Sequence, residues 1–242
     1  MKSLIHHTNN ALQVIKFIQE IQLISKLDSP YIVKFVGVSW SHPSDLQLVT
    51  EFIDGGDLRV NLEKNKKGSF SWKFKVKCAC QVAQALAYLH TRNPSIIHRD
   101  LKSRNVLLTS TKDAKLTDFG ISRENTTNTL TAGIGTYRWM APEVLNDDSY
   151  SEFADIYSFG VVMTELSNEI VPYSDVFNSV GKPLPDTALM AKVMCGDLRP
   201  TFAANTPQWF IDLGTQCLLH DQKERPTAFD LVHQFEQQLS EL

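Results

Sequence analysis

The sequence predicts an α+β chain of two unequal lobes, a small strand-containing one to about Ile53 and a larger, mainly helical one after it. Two patterns carry that expectation. β-Branched and aromatic residues crowd Tyr31 to Trp40 and Leu46 to Ile53, whereas from Phe74 onward apolar residues recur at helical spacing. The 242 residues, 43% hydrophobic and 21% charged, are enough chain to bury a sizeable core and too apolar for a disordered or coiled-coil composition.

Each element follows from its own stretch. Leu12, Ile15, Ile18, Ile21 and Ile24 repeat at the helical period and predict a helix from Leu12 to Leu27, stopped by Asp28-Ser29-Pro30. The two strand-like runs flank a polar Ser41-His42-Pro43-Ser44 turn and read as an antiparallel pair that ends at Asp54-Gly55-Gly56. A cleft is expected at that Gly55-Gly56 connection between the lobes. Phe74, Cys78, Val82, Ala85, Leu86 and Leu89 form one helical stripe that Asn93-Pro94 closes. Val106 to Leu108 and Ala114 to Thr117 read as a small ribbon around polar loops. Four further helices are expected at Phe153–Leu166, Thr187–Cys195, Pro207–Leu219 and Thr227–Leu239, with 168–186 a loop.

Charge and cysteine usage narrow the functions. Lys plus Arg is 24 against 27 for Asp plus Glu, a net charge of −3, so no sequence-wide basic field holds nucleic acid or an anionic membrane. No apolar run reaches the roughly 18 residues of a membrane span, and the opening MKSLIHHTNN lacks the features of a signal peptide, so a cytoplasmic location is the expectation. Cysteines 78, 80, 195 and 217 show no zinc or redox spacing, and Cys78 and Cys80 read as small buried thiols.

Two polar clusters stand out from this background. His98-Arg99-Asp100-Leu101-Lys102-Ser103-Arg104-Asn105 precedes the ribbon, and Asp118-Phe119-Gly120 follows it. Together they resemble the catalytic loop and metal-binding loop of the eukaryotic protein kinases. The flanking chain resembles that family in the same order. Gly135-Thr136-Tyr137-Arg138-Trp139-Met140-Ala141-Pro142-Glu143 is similar to the substrate-side end of the activation segment, Asp155-Ile156-Tyr157-Ser158-Phe159-Gly160 to the central helix, and Arg225-Pro226 to the late arginine motif. Five motifs in order span essentially the whole chain, where either tripeptide alone would be weak.

The resemblance implies a two-lobe kinase domain over 1–242, with 1–53 a partial small lobe and 54–242 the hinge end and large lobe. It implies ATP and Mg²⁺ as cofactors and protein substrates with Ser or Thr acceptors. Asp100 would align the acceptor hydroxyl and take its proton, Lys102 would set a positive charge beside the transferred group, and Asn105 and Asp118 would offer hard oxygen ligands to the metal. Thr50 falls at the gatekeeper position. Glu51, Phe52 and Ile53 would run beside the adenine, Asp57 would reach the ribose, Leu107 would contact the nucleotide, and Glu20 would pair with a phosphate-binding lysine. Phe35, Ile24, His98 and Phe119 match the family's stacked column between the lobes, and Glu143 and Arg225 match a pair within the large lobe.

The front of the chain departs from the family pattern. No GxGxxG exists, yet Lys2 lies eighteen residues before Glu20, a spacing that resembles the family's lysine-to-glutamate interval. The expectation is that the chain begins inside the third strand, with the first two absent. Lys102 and the HRDLKSRNVLL and GTYRWMAPE runs resemble the tyrosine-kinase-like group, which mostly phosphorylates Ser and Thr. A non-catalytic pseudokinase, a scaffold or an inactive fragment is the competing reading. Arg99 beside the catalytic aspartate points to a phosphate-ordered activation segment, with Thr129 and Thr131 as candidate phosphosites among Thr126, Thr127, Thr129 and Thr131.

Overall fold

A computed structural model of the chain describes residues 2–3, 11–42, 45–64, 70–119, 136–146 and 150–241, with the side chains of 2–3 and 11–13 left aside. Three short strands, β1 (Lys2–Ser3), β2 (Phe35–Ser39) and β3 (Gln47–Thr50), form an antiparallel sheet in the order β1-β3-β2. Lys2 pairs with Leu48 and Phe35 with Thr50, and a register shift between Phe35 and Gly37 bends β2. Helix α1 (Ala11–Ile24) buries Phe17, Ile21 and Ile24; of the predicted stripe Ile21 and Ile24 face the core, whereas Ile15 and Ile18 are exposed and Phe17, outside that stripe, takes the inward position. It ends three residues before the expected Leu27. Lys26 and Leu27 donate to the carbonyls of Leu23 and Ile24, the tighter bonding of a final turn.

The strand expected from Tyr31 proves to be two pieces. Residues 31–33 bond to the ribbon of the other lobe: Leu116 N–H donates to the Tyr31 carbonyl at 2.8 Å and Val33 N–H to that of Leu116 at 2.9 Å. That ribbon is β4 (Val106–Leu108) and β5 (Ala114–Leu116), antiparallel as expected. The returning chain meets the ribbon too, since Gly55 N–H donates to the Leu108 carbonyl and Leu108 N–H to that of Gly56, both at 2.8 Å. A Cβ on Gly55 would lie 2.3 Å from the Leu108 oxygen, so only glycine allows this approach. Both connections between the lobes are thus stitched to one ribbon, which places the cleft.

Two short helices escape the sequence reading, α2 (Leu58–Lys64) and α4 (Pro142–Leu145). The long helix α3 (Trp72–His90) starts where the Ser71 side chain accepts the Phe74 N–H, and its stripe is fully buried from Val76 to Leu89. The remaining helices, α5 (Glu152–Asn168), α6 (Asp186–Met194), α7 (Gln208–Cys217) and α8 (Ala228–Glu241), fall within two residues of the expected spans. Between α5 and α6 the chain is irregular, as its prolines dictate. Helix α5 is buried on nearly all sides and packs on α3 and α7; Gly160 makes the second contact possible, because a Cβ there would lie 2.8 Å from that of Cys217. Phe159, Phe210 and Phe235 close this core edge-to-face. Cys78 and Cys80 are buried, and burial pushes their thiols up to about 12 and about 11.

Candidate active site

A cleft of about 460 Å³ lies between the sheet, α1 and the ribbon. Its wall includes Glu20, Thr50, Glu51, Ile53, Leu107 and Asp118, six of the residues singled out in the sequence. Glu20 is only 2% exposed and shares the cleft face of α1 with Ile24, one turn later. Thr50 ends β3, and the Glu51 carboxylate reaches back to accept the Lys34 N–H at 2.8 Å and Lys115 Nζ at 2.6 Å. Asp57 stands just outside the cleft, where one carboxylate oxygen accepts the Val60 N–H and starts α2. Lys2 lies in β1, beside the cleft-lining Leu48 of β3, and its side chain lies outside the described residues.

The loop before the ribbon holds a second cluster. Asp155, buried in the first turn of α5, accepts the backbone N–H groups of His98 at 2.7 Å and Arg99 at 2.9 Å, and its carboxylate also meets His90 Nε2 at 2.9 Å. This clamp holds Arg99 at φ 66°, a left-handed conformation that a non-glycine residue adopts only when its surroundings impose it. Full burial lowers the affinity of His98 for a second proton. The neutral ring donates from Nε2 to the Thr117 carbonyl and accepts the Asp100 N–H at Nδ1, which fixes its tautomer.

Asp100, Lys102 and Asn105 converge as a result. Lys102 Nζ lies 3.0 and 3.2 Å from the two Asp100 oxygens and 3.4 Å from Thr136 Oγ1. Asn105 Nδ2 bonds the Asp100 carbonyl at 2.8 Å and its carboxylate at 3.2 Å. The Asn105 carbonyl in turn accepts the Thr117 N–H, which brings Asp118, at φ 59°, alongside. Phe119 is buried with its ring centroid 5.1 Å from that of His98, so two members of the expected column touch. Gly120 and the four threonines of the expected switch lie outside the described residues.

The sequence reading missed the group that anchors this loop from below. Glu165, fully buried in α5, accepts Ser103 Oγ at 2.8 Å and Arg59 Nη1 at 3.0 Å on one oxygen, and Trp139 Nε1 at 2.7 Å on the other. Burial nevertheless pushes its carboxyl up to about 7 against those three donors. A glutamate inside a predicted apolar helix was the available signal, because such a charge requires partners. The expected Glu143–Arg225 pair is present as a fork, with 2.6 and 2.8 Å bonds.

A nucleotide-sized cleft above a lysine-paired carboxylate, between a small sheet and a helical lobe, defines a protein kinase domain by its fold and motifs. The family model for the protein kinase domain matches residues 1–235, and the chain belongs to that family. It is 36% identical over 228 residues to a probable serine/threonine-protein kinase of Dictyostelium discoideum, covering 93% of this chain and 36% of the relative. It is 35% identical over 223 residues to the serine/threonine-protein kinase STY46 of Arabidopsis thaliana, covering 92% and 37%, and 37% identical over 179 residues to CTR1 of the same plant, covering 73% and 22%. The chain therefore spans little more than a third of the length of the first two relatives. Among the described residues no helix is long and apolar enough to cross a membrane.

Proposed function

We propose that the chain is the phosphotransfer domain of a serine/threonine kinase, moving the γ-phosphoryl group of ATP to Ser or Thr hydroxyls of protein substrates. The observation that carries this reading is the Asp100–Lys102–Asn105 cluster, held by buried bonds beside the cleft. Phosphoryl transfer has a loose transition state, so positioning and charge neutralisation do most of the catalysis. Asp100 orients the acceptor hydroxyl and accepts its proton. Lys102, reaching both Asp100 and Thr136, neutralises the transferred group.

The cleft residues suit a nucleotide. Ile53 makes no main-chain amide bond among the described residues and offers its N–H to the adenine, whereas the Glu51 N–H is spent on the Lys34 carbonyl. Thr50 and Leu107 line the pocket and would bound the base, and the Asp57 oxygen not used by Val60 would serve the ribose hydroxyls. Glu20, on the cleft face of α1, would pair with the phosphate-binding lysine, the role the resemblance gives Lys2. Mg²⁺ fits the donor set: the Asn105 side-chain oxygen accepts no bond among the described residues, and Asp118 adds a carboxylate, which leaves the other positions to water and phosphate. Such an ion would neutralise the phosphate oxygens. Four free thiols, three of them buried, suit a reducing compartment such as the cytoplasm.

The test is transfer of labelled phosphate from ATP with Mg²⁺ to peptide pools that carry Ser, Thr or Tyr acceptors. Label is expected in Ser and Thr, and Asp100→Asn should slow transfer by about 10²- to 10⁴-fold while calorimetric nucleotide affinity persists. Exclusive labelling of Tyr, or an Asp100→Asn protein as active as the parent, overturns the reading.

A further inference from the structure

On the acceptor side of the catalytic loop lies a second cavity of about 180 Å³. Its wall carries four cations, Arg59, Lys102, Arg104 and Arg138, and one carboxylate, Glu63. Three acidic groups that these cations meet among the described residues are already engaged. Glu63 lies 3.0 Å from Arg59 Nε, Asp100 is tied to Lys102, and Asp186 is bonded by Arg138. Glu165, beneath the cavity wall, is fully buried and saturated by Ser103, Arg59 and Trp139. Among the described residues that line the cavity, the one carboxylate, Glu63, is already paired with Arg59.

Arg104 differs from the other three cations. It is exposed, makes no hydrogen bond or ion pair among the described residues, and borders both this cavity and the nucleotide cleft. Its neighbours Ser103 and Asn105 are buried and bonded, so the backbone that carries it is fixed while its guanidinium is free. A guanidinium fork of this kind matches a carboxylate or phosphate with two parallel bonds.

We infer that this cavity selects acceptor peptides with an anionic side chain next to the phosphorylated residue, and that Arg104 is the specificity-determining group. The inference rests on the kinase reading for the word acceptor, but charge selection at the cavity can be read without transfer. Lys102 supplies the field nearest the acceptor, and Arg104 supplies the directional contact. The anion is a carboxylate or a phosphorylated side chain; the two share one chemistry.

The experiment measures fluorescence anisotropy and phosphate transfer in parallel on the full chain. Peptides place Asp, phosphoserine, Ala or Lys at each flanking position, with Ser at the acceptor for transfer and Ala there for binding. Anionic peptides should be favoured over Lys peptides by about fivefold, the range of a partly exposed ion pair, and the preference should shrink in high salt. Arg104→Gln should erase it, Arg104→Lys should keep part of it, and Arg104→Glu should reverse it toward Lys peptides, with circular dichroism and thermal melting used to verify folding. A preference limited to phosphoserine assigns the site to phosphorylated peptides, and one shared with Asp assigns it to acidic ones; either supports the inference. Equal use of all peptides, a Lys preference, or a preference untouched by Arg104→Gln overturns it, as does a loss of ATP affinity with the peptide preference unchanged. Transfer without charge selection sinks this inference alone, whereas charge-selective binding without transfer sinks the kinase reading alone.

Discussion

The loop from His98 to Asn105 and the segment that joins the lobes both border the cleft, yet they are held in opposite ways. The loop is fastened from beneath by buried charged groups: Asp155 takes two of its backbone amides, and Glu165 takes Ser103 together with Arg59 and Trp139. The joining segment is fastened by backbone bonds at Val33 and Gly55 and by the partly exposed Lys115–Glu51 ion pair, and its Phe52 is 89% exposed. Rigid positioning belongs where charge must be aligned within fractions of an ångström, and compliance belongs where the lobes adjust around a nucleotide. If that division is right, removing one buried partner in the large lobe should cost several times more than removing one in the joining segment.

The largest effect is expected at Arg225. Its guanidinium bonds both Glu143 oxygens and the carbonyls of Phe153, Leu219 and His220, and it is 3% exposed. Arg225→Ala leaves a buried carboxylate and three carbonyls without their donor, so denaturant unfolding should show a loss of roughly 3–5 kcal/mol. Arg225→Lys should recover only part, since an ammonium cannot make the fork. A loss under about 1 kcal/mol would show that the large lobe is not fastened by such pairs.

Glu165 sharpens the comparison through pH. Its folded carboxyl titrates at about 7, above the ordinary glutamate value, so the folded state holds this proton more tightly than the unfolded one. The contribution of this group is therefore fully present at low pH and declines as pH rises toward 7. Glu165→Gln removes that slope. The stability difference between the parent and Glu165→Gln should shift against the parent by on the order of 1–3 kcal/mol between about pH 5 and 7. A parallel pair of stability curves would mean that Ser103, Trp139 and Arg59 keep the carboxylate ionised throughout.

What the sequence made legible follows the same division. The motifs from His98 to Asn105 and at Asp118 carry their own spacing, and the stripe of α3 repeats for about four turns, so both could be read before any contact was known. Helix α2 could not, because seven residues after a Gly-Gly turn hold too few periods to register. With α2 went Arg59, and with Arg59 the reason for a glutamate in α5. The run at Tyr31 was legible as extended chain but not as two pieces, since pairing with Leu116 is decided by the other lobe.

The smallest effect is expected at Lys115, whose Nζ lies 2.6 Å from Glu51 Oε1 and joins the ribbon to the segment between the lobes. The two side chains are 20% and 28% exposed, so water screens the pair and its removal should cost under about 1 kcal/mol. Partial burial pushes the Glu51 carboxyl up, but the Lys115 hydrogen bond and the Lys34 amide outweigh it and hold the group below the usual glutamate range. A depressed folded value means that this stabilisation is present at neutral pH and fades as pH falls through the acid range. Lys115→Met should thus differ from the parent by a few tenths of a kcal/mol at pH 7 in urea unfolding and by less as pH falls below the ordinary glutamate range, with high salt narrowing the gap at pH 7. A loss above about 2 kcal/mol at pH 7 would put this pair on the footing of Arg225 and Glu143. The joining segment would then be a clamped element like the loop from His98 to Asn105, and nucleotide entry would have to come from movement of the sheet and α1 instead.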